Sequence, residues 1–228
     1  CRGNNRGMRP HPAIALLLLI LAGCGVVPDS KTADRGVRQA GSPAISTARP
    51  EARQCHAELG MTGSRFIPLP DKFYGQGCST ANSVRLEGVG GDRDHFTVTN
   101  LGAVACPLAN NFAGWARFGV DRAARQILGS PLQRIETMGS YSCRNVAGTA
   151  RRSAHSRAEA IDVSAFVLAD GRRVSVLSGW NASREEREFL RVVHKSACKR
   201  FGTVLGPDYN RAHHDHFHLE YGKGNYCR

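Results

Sequence analysis

Four of the chain's nine histidines fall within six positions, in the run His213-His214-Asp215-His216-Phe217-His218. A packed core has no use for such a density of imidazole. Alternate side chains of a β-strand share a face. A strand over 216–221 therefore points His216 and His218 the same way, as a pair suited to a metal ion. A second cluster lies upstream, in Ser153-Ala154-His155-Ser156-Arg157-Ala158-Glu159-Ala160-Ile161-Asp162. His155 offers a nitrogen ligand and Asp162 an oxygen, and His218 adds a second nitrogen. Three protein ligands with one position open is the arrangement of a catalytic zinc site, whereas a structural site uses four. Zn2+ is thus the expected cofactor, held by His155, Asp162 and His218. Two neutral imidazoles and one carboxylate would leave the ion at about +1, enough to polarise a carbonyl and acidify water. His216, on the same strand face, is the expected base or oxyanion partner. Arg144 is the expected fixed positive charge for that oxyanion or for a substrate carboxylate.

The chain has 228 residues, and its 41% hydrophobic content is enough for a core, which excludes wholesale disorder. A net charge of +12 points to anionic partners, either nucleic acid or a bacterial envelope. The N-terminus decides for the envelope. Residues 8–24 read as a basic flank, an apolar run from Ala13 to Ala22 and then small residues. This is a secretory signal, too short for a membrane span. Its end, Leu21-Ala22-Gly23-Cys24, resembles a bacterial lipobox. The resemblance implies cleavage before Cys24 and acylation of that cysteine, and several acyl chains give stable anchoring. Met8 is the expected start, so residues 1–24 are read as leader plus signal. Residues 25–52 are rich in Ser, Thr, Pro, Gly, Arg and Ala without apolar period, and are read as a tether of about 30 Å root-mean-square span. Residues 53–228 are the expected folded domain.

Beyond Cys24 there are six cysteines: Cys55, Cys78, Cys106, Cys143, Cys198 and Cys227. An even number in an exported chain implies a disulfide framework. Short loops favour Cys55–Cys78, Cys106–Cys143 and Cys198–Cys227, although sequence alone does not select a connectivity. The absence of any Cys-x-x-Cys pair argues against a cysteine zinc site.

The periodicity predicts one helix from Pro107 to Leu128, with Leu108, Phe112, Trp115, Phe118 and Ala123 inward and Gly129 as its stop. Strands are expected over 132–139, from Ile161 to Leu168, and from Arg173 to Leu177 after the turn Asp170-Gly171. Ser183-Arg184-Glu185-Glu186 is a capping box opening a helix to about Phe201, with Phe189, Leu190, Val193 and Ala197 inward. Strands over 203–205 and 216–221 complete an α+β domain whose antiparallel sheet carries the metal site, flanked by helices and stapled by disulfides. Other motifs read as ordinary structure. Gly88-Val89-Gly90-Gly91 has no strand-to-helix context and is a turn, not a phosphate loop. Ser196-Ala197-Cys198-Lys199 matches Ser-x-x-Lys but sits at a helix end with no Lys-Thr-Gly after it. His213 and His214 are expected in a supporting shell or on the surface, and His56, His95 and His194 on the surface.

The two clusters resemble those of the zinc peptidase superfamily that includes D-alanyl-D-alanine peptidases, lysostaphin and hedgehog-like proteins. Its motif Ser-x-His-x-x-Gly-x-Ala-x-Asp appears here from Ser153 to Asp162 with Ala158 in place of Gly, and its His-x-His appears as His216-Phe217-His218. Gly139 to Arg144 is similar to a Tyr-Arg segment, with two residues inserted, which implies a substrate-facing role for Arg144. A closer resemblance, covering roughly 53–228, is to the bacterial extensin-like C-terminal domain family. It is carried by Ser140-Tyr141-x-Cys143-Arg144, Ala169-Asp170-Gly171-Arg172, Thr203-Val204-Leu205-Gly206-Pro207-Asp208 and His213-x-Asp215-His216-Phe217-His218-Leu219. These resemblances imply a periplasmic, lipid-anchored zinc peptidase acting on peptidoglycan peptides, with the outer membrane as its expected attachment and no nucleic-acid partner. The alternatives are a non-catalytic wall-binding lipoprotein of the same fold and a zinc hydrolase of another substrate.

Overall fold

The computed structural model describes residues 49–228. The expected leader, the acylation site at Cys24 and most of the tether lie outside the described residues. The tether's last assigned residues, from Pro50 on, already belong to a helix.

Helix α1 (Pro50–Met61) leads into strands β1 (Arg65–Pro68), β2 (Phe73–Gly75), β3 (Cys78–Ser79), β4 (Ser83–Gly90), β5 (His95–Thr99) and β6 (Val104–Ala105). Helices α2 (Cys106–Trp115) and α3 (Arg122–Ile127) follow, joined by a π-helical stretch, Ala116–Asp121. Next come β7 (Leu132–Gly139), a 3-10 turn (Ala154–Arg157), β8 (Ala160–Leu168), β9 (Arg173–Ser175), α4 (Val176–Gly179) and α5 (Arg184–Ala197). Strand β10 (Thr203–Leu205), a 3-10 turn (Arg211–His213), β11 (Phe217–Glu220) and β12 (Tyr226–Cys227) close the chain. The main sheet has the order β1-β4-β5-β7-β8-β11-β10-β12, with β6 on β4 and β9 on β8. Its pairings are antiparallel except β5 with β7 and β10 with β12. The domain is α+β with a mainly antiparallel sheet, as its pattern of elements predicts.

The period of two partitions the central strands. Ile161 and Val163 of β8, and Phe217 and Leu219 of β11, are buried in the core. Asp162 and His218, between them, belong to the opposite face. The core is sealed by rings. Phe166 lies 6.1 Å from Trp115, 5.3 Å from Phe189 and 6.4 Å from Phe217, centroid to centroid. Trp115 donates its indole N–H to the Val193 carbonyl at 3.2 Å, tying α2 to α5. Burying each such side chain contributes about 1.5–3 kcal/mol. Helix α5 starts as its capping box requires, with the Ser183 hydroxyl accepting from the Glu186 N–H at 3.3 Å. Phe189, Leu190, Val193 and Ala197 face inward as expected.

The single helix expected from Pro107 to Leu128 is interrupted. The π-helical stretch uses i→i+5 bonding, which inserts a residue into the turn and shifts the inward side. Ala116, Val120 and Ala124 are buried, whereas Phe118 is turned outward and is 44% exposed. Three guanidinium groups cover that ring, those of Arg122, Arg117 and Arg200, at 4.7, 5.0 and 5.6 Å from its centroid.

The disulfides correct two of the three expected pairings. Cys55 joins Cys106, Cys78 joins Cys143, and only Cys198–Cys227 is as read from the sequence. Local loop length is overruled by packing. Helix α1 lies along α2, which brings Cys55 and Cys106 to 6.1 Å between Cα atoms across 51 residues of sequence. The β2–β3 hairpin lies against the segment after β7, which brings Cys78 to 5.6 Å from Cys143.

Candidate metal centre

The register of β8 against its neighbours assembles the site. Asp162 pairs with His218 on β11 and with Gly139 on β7. Directly opposed residues on an antiparallel pair project side by side, and His218 Nδ1 lies 2.8 Å from Asp162 Oδ1. His155 arrives from the short 3-10 turn before β8. Ser153 caps that turn by accepting from the His155 N–H at 3.4 Å. Ala158 ends it in the left-handed region, at φ 56°. A Cβ in that conformation costs about 1–2 kcal/mol, so glycine would fit the position with less strain than Ala158.

The three groups converge. His155 Nε2 lies 3.1 Å from Asp162 Oδ2 and 3.2 Å from His218 Nδ1. One ligand atom from each of the three residues lies within 4.8 Å of the others. Both histidines are buried. His155 Nδ1 is 2.6 Å from the Ser140 carbonyl oxygen and must donate its proton there. In neutral imidazole Nε2 then carries a lone pair, and it faces the Asp162 carboxylate. Two acceptors at that distance repel unless a proton or a cation lies between them. The donor set therefore fits a small cation, with a nitrogen–oxygen composition suited to zinc. With protons filling the place, burial pushes the Asp162 carboxyl up, but hydrogen bonds from His155 and His218 outweigh it and hold the group well below the usual carboxylate range. Burial likewise works to lower His218, yet Asp162 and Glu220 together raise it to about 9.

Two further sequence-predicted residues reach the cluster. His216 lies one residue before β11, not on the strand as expected, because the ladder begins at Phe217. Its ring is nevertheless brought in: Nδ1 lies 2.9 Å from Asp215 Oδ1, and Nε2 lies 3.6 Å from Asp162 Oδ1. Arg144 extends over the site from the other side, its guanidinium 4.0 Å from Asp162 Oδ2 and half exposed. These groups open into a cleft of about 470 Å³, lined by Arg144, Arg151, Asp162, His213, His216 and His218 among others. Sequence reasoning gave no specific role to His213, Asp215, Ser140 or Glu220. His213 lines the cleft, 5.2 Å from the His216 ring, with Nδ1 2.8 Å from Asn210 Oδ1. Burial, then the charges of His216 and His218, hold it down to about 4. Adjacency in sequence was a signal for Asp215 with His216. Ser140 acts through its carbonyl, for which no side-chain signal exists. A second trio, His194, Cys198 and Cys227, also lies close together. Its two sulfurs are joined in a disulfide and are not free to ligate. His194 is half-buried, packed on Trp180 and Phe217.

Residues 53–228 match the family model described as extensin-like protein C-terminus. The chain belongs to that family. The matched segment contains every residue of the cluster and all three disulfides. No curated protein and no solved structure matches the chain.

Proposed function

We propose that this extensin-like domain is a zinc-dependent peptidase, endopeptidase or carboxypeptidase, that hydrolyses peptidoglycan peptides in a bacterial envelope. The observation that carries the reading is the convergence of His155 Nε2, Asp162 and His218 Nδ1 beneath an open cleft, with His216 and Arg144 at its edge. Zinc at those ligands would supply a Lewis acid for a scissile carbonyl and a nucleophile of lowered pKa.

The chain's own groups divide the remaining work. His216 Nδ1–H donates to Asp215, which leaves Nε2 as the basic atom facing the cluster. Nε2 is thus placed to take a proton from the attacking group and later to give it to the leaving amine. Asp215 stabilises the imidazolium formed in between. The hydrogen bond with His216 keeps the Asp215 carboxyl below its ordinary value, so it stays an anion. Arg144 and Arg151 at the cleft offer guanidinium groups for substrate carboxylates. Stem peptides carry such carboxylates, and the net charge of +12 favours an anionic polymer. The likeness of the two motifs to those of the D-alanyl-D-alanine peptidase, lysostaphin and hedgehog-type superfamily supports the same reaction. Export, acylation at Cys24 and anchoring to the outer membrane belong to this reading. The three disulfides are compatible with an oxidising compartment.

The test is digestion of purified sacculi by the zinc-loaded protein, read by mass spectrometry of released fragments. Release that stops with chelator and with His216→Ala is the expected result. No release by zinc-loaded protein that still sediments with sacculi sinks the peptidase reading in favour of a wall-binding lipoprotein.

A further inference from the structure

A second cavity, of about 410 Å³, is lined in part by the segment that supports the candidate metal cluster. Gly139, Ser140 and Tyr141 line it, and the same stretch sends the Ser140 carbonyl to His155 and runs on to Arg144 at the cleft. One wall is aromatic and apolar. Tyr74 and Tyr141 stand 5.1 Å apart with ring planes tilted by 30°, beside the exposed side chain of Met138. Asn100 and Thr80 add polar groups to the lining, next to Leu101 and the backbone of Gly102 and Gly139. Among the described residues, no charged side chain lines the cavity, although the chain is strongly basic. That composition rejects an anion and suits a neutral ligand with one apolar face and a polar rim.

The lining is held in place. Asn100, at φ 58°, adopts the left-handed conformation that asparagine tolerates in turns. Its amide nitrogen bonds the Thr137 carbonyl at 3.2 Å. Tyr74 is carried by the β2–β3 hairpin, whose three β2 residues are all exposed. Such a hairpin has little core of its own, and it is fixed from outside. The Cys78–Cys143 disulfide ties it to the Tyr141 segment. Arg152 donates to the Gln76 carbonyl at 2.6 Å and to the Gln76 side-chain oxygen at 3.0 Å. A disulfide and a bidentate arginine spent on an exposed hairpin hold Tyr74 in fixed relation to Tyr141, and pre-organisation of this kind lowers the cost of binding.

We propose that this cavity is a saccharide subsite. A pyranose ring would lie with its C–H face against the Tyr74–Tyr141 pair and its hydroxyl and acetamido groups toward Asn100 and Thr80. The choice of an N-acetylated amino sugar, rather than another neutral hexose, rests on the wall-peptide reading above. The subsite would hold the glycan strand while its peptide enters the metal cleft.

The probe is chitotetraose, an N-acetylglucosamine oligomer without peptide, titrated into the full chain by calorimetry and by saturation-transfer NMR. Binding is expected with maltotetraose weaker, and Tyr74→Ala should weaken it roughly tenfold, the effect of losing one stacked ring. Tyr74→Phe, which keeps the ring, should bind as the unaltered chain does. Chelator-treated protein should bind equally well, since the subsite contains no metal ligand. No chitotetraose binding at millimolar concentration, or equal binding by Tyr74→Ala, overturns the subsite. Failure to cut sacculi with chitotetraose binding intact would overturn the peptidase reading and leave the subsite standing.

Discussion

Replacing Cys78 and Cys143 together by alanine should lower the stability of the domain by about 4 kcal/mol. The Cys78–Cys143 bond closes a loop of 65 residues, and the chain-entropy relation for a loop of that size gives a figure of about 4 kcal/mol at room temperature. The bridge interleaves with Cys55–Cys106, since Cys78 lies inside the 55–106 loop and Cys143 beyond it. With Cys55–Cys106 retained, the unfolded chain is only slightly shortened between the two removed sulfurs, so most of the effect should survive. The paired bonds from Arg152 to Gln76 should keep the hairpin docked in the folded state, so the loss falls mainly on the unfolded side of the balance. Equilibrium urea denaturation is the assay, on chelator-treated protein so that bound metal adds nothing. A lowered midpoint with a raised m-value is the expected pattern, since the unfolded chain expands when the cross-link is gone. A loss below about 1 kcal/mol would refute the loop-entropy argument. A peptide joining Cys55 to Cys78 in an unreduced digest would refute the pairing itself.

His218→Ala should reduce bound zinc from about one per chain to a small fraction, measured by metal analysis after dialysis; full retention removes His218 from the ligand set. His216→Ala should keep its zinc and lose roughly 10²–10⁴-fold in kcat on a stem-peptide substrate, and loss of metal together with activity would make His216 a ligand instead. In the helical layer, Trp115→Ala should cost about 3–5 kcal/mol in chemical denaturation, as for other buried tryptophans, while Phe118→Ala should cost at most about 1 kcal/mol because its ring lies outside the core under arginine side chains. Equal losses at the two positions would contradict the π-helical register.

Much of this domain can be read from local chemistry. Serine at 183 with Glu186 three residues on starts α5 because the cap satisfies helix N–H groups without help from the rest of the fold. The inward face of α5 follows from helical period alone. Strands β7, β8 and β10 follow from runs of apolar and β-branched residues, and the candidate cluster of His155, Asp162 and His218 stands out because His and Asp at those spacings have little other use. What tertiary structure alone decided is wherever two distant segments had to be weighed against each other. The pairing of Cys55 with Cys106 depends on α1 lying along α2, and no spacing of cysteines encodes that. Phe118 leaves the core because one extra residue in a helical turn fits Val120 and Ala124 against their neighbours, a choice made by packing and invisible to a regular period. His216 is at the site although it is off the strand, because Asp215 and the turn before β11 aim it there. The tautomer of His155 is set by a backbone carbonyl from Ser140, and a carbonyl leaves no trace in the identity of its residue. Sequence determines which groups are present and their local conformation, since those depend on near neighbours. The distances between His155, Asp162 and His218 come from the register of β8 against β7 and β11, which the burial of Ile161, Val163, Phe217 and Leu219 selects collectively.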